Sequence, residues 1–186
     1  MIEVHSLAIP EVKLITPRRF GDKRGFFQQT YHKNIYKESG IDADFVQDNW
    51  SRSVKGVLRG LHYQLKNPQA KLVSVITGRV YDVAVDIRKN SPTFGQWVGA
   101  ELSDENGCQL FVPRGFAHGF VVLSDTVDFF YKCDNFYTPG DEYGVLWSDP
   151  NINIQWPDTG ENPTISEKDE TALPLKSVAL EDLPVY

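Results

Sequence analysis

Apolar residues along this chain recur mostly at every second position, in short runs broken by turn residues. Val80–Ile87 shows the pattern well, with Tyr81, Val83, Val85 and Ile87 on one face of a strand and Asp82, Ala84 and Asp86 on the other. Comparable runs at Glu11–Pro17, Phe26–Tyr31, Lys71–Ile76, Gln96–Leu102, Gln109–Val112, Gly119–Leu123 and Val127–Cys133 predict further strands. Ala43–Ser53 reads as extended and polar at its centre. Turns fall at Gly21–Gly25, Thr77-Gly78 and Asn90-Ser91-Pro92, and Ser124-Asp125 closes a hairpin. Helical signals are confined to Asn34–Ser39, ended by Gly40 at the C′ position, and to the capping box Ser166-Glu167-Lys168-Asp169. Short strands with a turn every ten or so residues predict a β-sandwich or barrel. Past Pro150 the chain turns polar and Pro-rich, yet it shows no repeat, low-complexity tract or linker. Residues 1–186 are therefore expected to form one domain with a C-terminal extension from about 150.

One stretch breaks the alternation. Val57–Gln64 is apolar enough for a buried strand, yet it carries Arg59 and His62. Burying even a neutral polar group without a partner costs roughly 2–7 kcal/mol, so both side chains need something to hold. Regular pleating would put them on opposite faces. Gly60 lies between them, and glycine within a strand often marks a bulge. A local irregularity at Gly60 is expected to bring Arg59 and His62 to one pocket.

Composition narrows the function. A chain of 186 residues with 41% hydrophobic and 24% charged residues has the make-up of an ordinary globular protein. Its net charge of −6 argues against a general nucleic-acid binder, while leaving room for a phosphorylated small molecule held by local Arg and Lys. No apolar run approaches the ~20 residues that span a bilayer, and Met1–Pro10 lacks a signal-peptide pattern. Cys108 and Cys133 form neither a metal spacing nor a disulfide framework, so a reducing cytoplasm is expected.

Several side chains invite chemistry, each with a plainer reading beside it. His62 suits a general base, although a strand histidine is commonly a core residue bonded to a carbonyl. Arg59 fits a phosphate clamp as well as a structural pair with Asp44 or Asp48. Lys71 either guards a sheet edge or faces a developing oxyanion. His118, flanked by Gly115 and Gly119, reads either as a ring presented by a tight turn or as a turn histidine with no role. Tyr131 is an aromatic strand residue whose hydroxyl needs a partner if buried. Asp169 either caps a helix or holds a histidine tautomer from behind. Arg24 either binds phosphate or decorates a turn. A metal site is not expected, because Gln64 stands where a second close-spaced histidine would sit, and His62 with His118 makes a poor site.

Taken in order, the segments Arg24–Phe27, Gln47–Asn49, Val57–His62, Lys71–Val73, Asp82–Arg88, Pro113–Phe120 and Ser166–Asp169 resemble the dTDP-4-dehydrorhamnose 3,5-epimerase family, from about Ile9 to Leu175. The resemblance implies a mainly β, cupin-type jelly roll (a double-stranded β-helix) with short peripheral helices. It implies a homodimer, no metal and no cofactor, and a substrate, dTDP-4-dehydro-6-deoxy-D-glucose, inverted at C3 and C5. By position it makes His62 the base, Asp169 its orienting partner, Tyr131 the acid and Lys71 the stabiliser of the enolate. Arg24, Gln47, Asp48, Asn49, Arg59, His118, Glu142 and Lys168 fall at substrate-binding positions. Gln29 stands where the family usually has glutamate; the amide still hydrogen-bonds, so binding is expected to survive while base or sugar preference stays open. Two alternatives remain: a mono-epimerase at C3 or C5, and a non-catalytic sugar-binding cupin.

Overall fold

The computed structural model describes residues 2–186. One sheet runs in the order β1 (Ile2–Ser6), β2 (Lys13–Pro17), β10 (Gln109–Val112), β7 (Lys71–Thr77), β12 (Thr126–Cys133) and β5 (Gln47–Val54). The other runs β13 (Glu142–Gly144), β6 (Leu58–Gln64), β11 (Phe116–Val122), β8 (Arg79–Asp86) and β9 (Trp97–Ser103). A separate ribbon pairs β3 (Arg19–Asp22) with β4 (Gly25–Gln28). Sheet neighbours are antiparallel but often distant in sequence, as where β10 sits between β2 and β7. The chain therefore crosses between two facing sheets, the cupin-type jelly roll that the motifs imply.

The space between the sheets is filled from both sides. Val73, Val75, Leu110, Val127 and Phe129 come from one sheet, and Val80, Val98, Leu102, Phe120 and Val122 from the other. Phe120 and Phe129 stack across the gap with centroids 3.8 Å apart. The outer faces are covered as well. Leu61, Val83, Val85 and Ile87 pack under Ile152, Leu175 and Leu183 of the C-terminal segment. Ile15, Leu72 and Phe111 pack under Tyr36 of α1 (Lys33–Glu38). One apolar face of β8 thus meets the C-terminal cover, while the face carrying Val80, Asp82 and Ala84 points between the sheets.

Several boundaries differ from expectation. The first strand of the chain is β1, which the alternation did not reveal; β13 was likewise unseen, being short and polar. The run expected at Phe26–Tyr31 ends at Gln28, as one arm of an exposed ribbon. Helix α1 and the glycine after it match, with Gly40 at φ +83°. His118 is not in a turn. β11 begins at Phe116, three residues earlier than expected, so the histidine sits mid-strand and Gly115 makes the turn at φ +85°. After Pro150 the chain returns to the sheets through bridges Val57–Thr164, Val145–Leu173 and Lys89–Val185.

Candidate active site

Residues from both sheets enclose a cavity of about 670 Å³, its open mouth included. His62 and Gln64 reach it from β6, His118 from β11 and Glu142 from β13; Lys71 and Tyr131 reach it from β7 and β12 of the facing sheet.

The irregularity expected at Gly60 is present. β6 takes three steps from Arg59 to His62 where β11 takes two from Phe120 to His118. The extra residue turns Arg59 and His62 to the same face. Gly60 has φ +127°, and the Gly60–Leu61 peptide is cis. The strands approach closely here. A Cβ on Gly119 would lie 2.7 Å from the Arg59 carbonyl oxygen, and one on Gly60 would lie 2.6 Å from Gly119 Cα. Arg59 shares that face yet does not line the cavity; its Nε donates to Ser53 Oγ at 3.1 Å. The structural pairs considered for it are absent among the described residues, since Asp44 pairs with Lys33 and Asp48 with Lys132.

Behind His62 stands Asp169, in the helical turn α2 (Glu167–Glu170). Ser166 Oγ accepts the Asp169 backbone N–H at 3.2 Å, which is half of the capping box. The Asp169 carboxylate serves elsewhere. Its Oδ1 lies 2.6 Å from His62 Nε2, and its Oδ2 accepts Gly60 N–H at 3.3 Å. A carboxylate only accepts, so this pair assigns the proton to Nε2 and leaves the Nδ1 lone pair free. Burial opposes the charged Asp169, but the His62 hydrogen bond and charge, with the Gly60 amide, outweigh it and hold its pKa below the ordinary 3.8.

A second histidine–carboxylate pair lies deeper. His118 Nε2 is 2.9 and 3.0 Å from the two oxygens of Asp82, and both residues are buried. Burial raises the Asp82 pKa and lowers that of His118, each opposed by the partner's charge and hydrogen bond. The sequence reading did not single out Asp82, although an acidic residue alternating with Ala84 in an apolar strand was the signal.

Across the cavity, burial depresses the Lys71 ammonium below its ordinary 10.5, while Cys133, Asp82 and Glu142 pull the other way. Among the described residues no carboxylate lies within ion-pair distance of it. Lys71 Nζ stands 6.0 Å from the Tyr131 ring centroid. Burial, then Cys133 and Glu142, push the Tyr131 phenol up to about 12, so it remains a protonated donor at neutral pH. At the rim, Glu142 accepts from Lys168 Nζ at 2.6 Å.

Gln47 and Asn49 point inward and bond to each other at 3.1 Å. Gln47 Oε1 accepts the Tyr137 backbone N–H at 2.8 Å, and Tyr137 lines the cavity. Asp48 does not belong with them. Strand parity turns it outward, where it is exposed and meets Lys132 Nζ at 2.9 Å. Arg24 and Gln29 also stand outside this chain's cavity: Arg24 pairs with Asp22 at 2.6 Å in the exposed ribbon, and Gln29 follows it. Tyr63, Gln69, Phe116 and Tyr137 line the cavity without having been picked from the sequence. Phe116 belongs to the Pro113–Phe120 segment. Among the described residues no three His, Cys, Asp or Glu side chains gather as a metal set would require.

The chain as a whole is similar to known proteins. The family model described as dTDP-4-dehydrorhamnose 3,5-epimerase matches residues 6–177. The dTDP-4-dehydrorhamnose 3,5-epimerase of Shigella flexneri is 56% identical over 163 residues, 87% of this chain and 89% of that protein. The enzyme of the same name from Pseudomonas aeruginosa is 54% identical, over 88% of this chain and 90% of its own. A crystal structure of dTDP-6-deoxy-D-glucose-3,5-epimerase from Legionella pneumophila Philadelphia 1, in complex with dTDP-4-keto-L-rhamnose, superposes with a TM-score of 0.97. It is 51% identical, covering 100% of this chain and 99% of that one. With a matching model over nearly its whole length and the same fold throughout, the chain belongs to the dTDP-4-dehydrorhamnose 3,5-epimerase family.

Proposed function

We propose that this protein inverts C3 and C5 of dTDP-4-dehydro-6-deoxy-D-glucose, giving dTDP-4-dehydro-L-rhamnose with no cofactor. One observation carries the reading: a histidine base and a tyrosine acid reach a single cavity from opposite sheets. Inversion needs that arrangement, since the proton must leave one face of the carbon and return to the other. The C4 ketone acidifies hydrogens on both neighbouring carbons, because the electron pair left behind delocalises onto its oxygen as an enolate. His62 takes the proton at Nδ1, with Asp169 holding Nε2–H and stabilising the imidazolium. The Lys71 ammonium faces the enolate oxygen, a role worth on the order of 3–4 kcal/mol of barrier for one fixed donor. Tyr131 returns a proton to the opposite face, and solvent resets both residues before the second carbon reacts.

The remaining motif residues serve binding. His118, Glu142 and Lys168 surround the sugar, and Gln47, Asn49 and Arg59, outside the cavity lining, serve the nucleotide end. A homodimer accords with the ribbon, whose Phe20, Phe26 and Phe27 are 51%, 61% and 69% exposed. Arg24 and Gln29, outside their own chain's cavity, then serve a site only through the second copy. Among the described residues no helix is long and apolar enough to cross a membrane, and a cytoplasmic location accords with the free thiols of Cys108 and Cys133. Incubation with the keto-sugar in D₂O, followed by proton NMR, tests the reading. Deuterium at C3 and C5 with L-rhamno product is expected. Inversion at one carbon makes the protein a mono-epimerase, and no exchange at either overturns the assignment.

A further inference from the structure

The family model ends at residue 177, and the segment beyond it touches the back of the cavity wall at two points. The first is Tyr63, a lining residue whose hydroxyl donates to the Asp182 carbonyl at 2.8 Å. The second runs through Arg88. Its guanidinium lies 4.5 Å from the ring of Phe116, another lining residue, and 4.7 Å from the ring of Tyr186. Arg88 is fixed in its own plane by Asp86, which accepts from Nε at 2.9 Å and Nη2 at 2.8 Å. Its stem also supports Gly115, where an added Cβ would meet Arg88 Cγ at 2.7 Å. The segment itself is anchored. Leu183 is buried beside Leu61 and Tyr63, Lys89 N–H donates to the Pro184 carbonyl at 2.8 Å, and Tyr186 N–H donates to the Lys89 carbonyl at 3.1 Å.

We propose that Leu180–Tyr186 is a positioning strap, which holds the Tyr63 and Phe116 walls and so sets where the sugar ring lies relative to His62. The proposal rests on the epimerase reading. Packed side chains pass displacements on with little loss, since interiors have few voids to absorb them. C3 and C5 flank the ketone on either side, so a ring that slides brings one carbon toward His62 and takes the other away. Proton transfer is steep in such distances. The strap therefore governs the balance between the two inversions, beyond any effect on overall affinity.

The balance of deuterium incorporation at C3 and C5 tests this. Tyr186→Ala removes one face of the Arg88 sandwich at a position that is 63% exposed, so the fold is not at stake. Tyr63→Phe removes the link to Asp182 and keeps the ring. Both variants are expected to shift the C3:C5 exchange ratio. Tyr186→Ala should also raise KM by about two- to fivefold, the scale of one exposed cation–π contact. Tyr186→Phe, which keeps the stacking ring, should match the parent protein. A ratio unmoved in either Tyr186→Ala or Tyr63→Phe overturns the strap, even if the melting temperature falls. Absence of exchange in the unsubstituted protein instead overturns the epimerase reading, and the strap with it.

Discussion

Asp169→Asn tests the base most directly. The carboxylate supports His62 through a 2.6 Å contact to Nε2, and its own pKa is held below 3.8, so it is ionised across the working pH range. Asparagine keeps the shape but removes the charge that stabilises an imidazolium, and its single oxygen accepts from either His62 or Gly60 but not both. A charge-assisted hydrogen bond of this kind is worth roughly 1.5–3 kcal/mol, which converts to about a 10- to 160-fold fall in the rate of proton abstraction. If the amide turns its NH₂ toward Nε2, the tautomer reverses, Nδ1 carries the proton, and the loss approaches ~10⁴. Exchange in D₂O reads abstraction by itself, and the inversion rate reads the whole reaction. Both are expected to fall by the same factor, because Asp169 acts at the first step. Folding contributes a separate signature. A depressed carboxylate pKa stabilises the native state above the unfolded value and loses that contribution as pH falls through the folded one. The variant should therefore melt lower than the parent at pH 7, with the gap closing below about pH 4. An exchange rate within threefold of the parent would refute His62 as a base supported by Asp169.

Tyr131→Phe should leave exchange measurable while inversion drops sharply, because His62 still removes a proton and can return a deuteron to the same face; equal loss of both would place Tyr131 before the enolate. The alkaline limb of the pH–rate profile should lie below 10.5, since burial makes the Lys71 ammonium easier to neutralise. Lys71→Arg, which does not titrate there, should keep a reduced rate and move that limb upward; an unmoved limb would assign it to another group. Dialysis against EDTA should leave the rate unchanged, and restoration of a lost rate by one divalent ion would overturn the cofactor-free mechanism.

Much of this protein was legible in its residues, for local reasons. Alternation in Val80–Ile87 and Val127–Cys133 reports a pleated backbone directly, because side chains two apart share a face. Gly40 ends its helix, and Gly60 marks a bulge, since both are conformational statements about one residue. The ordered motifs contain His62, Lys71 and Asp169, and the family resemblance adds Tyr131 to them. Alternation alone does not say which face of a strand turns inward. β8 directs one apolar face to the C-terminal cover and turns Asp82 between the sheets, so Asp82 emerged as the partner of His118 only in three dimensions. Parity decided likewise that Asp48 leaves the site while its neighbours Gln47 and Asn49 remain. Asp169 and His62, 107 positions apart, meet because the C-terminal segment folds back over β6. Distant pairs of that kind are products of packing, where hydrophobic cover brings Leu175 and Leu183 onto the sheet and carries polar side chains with them.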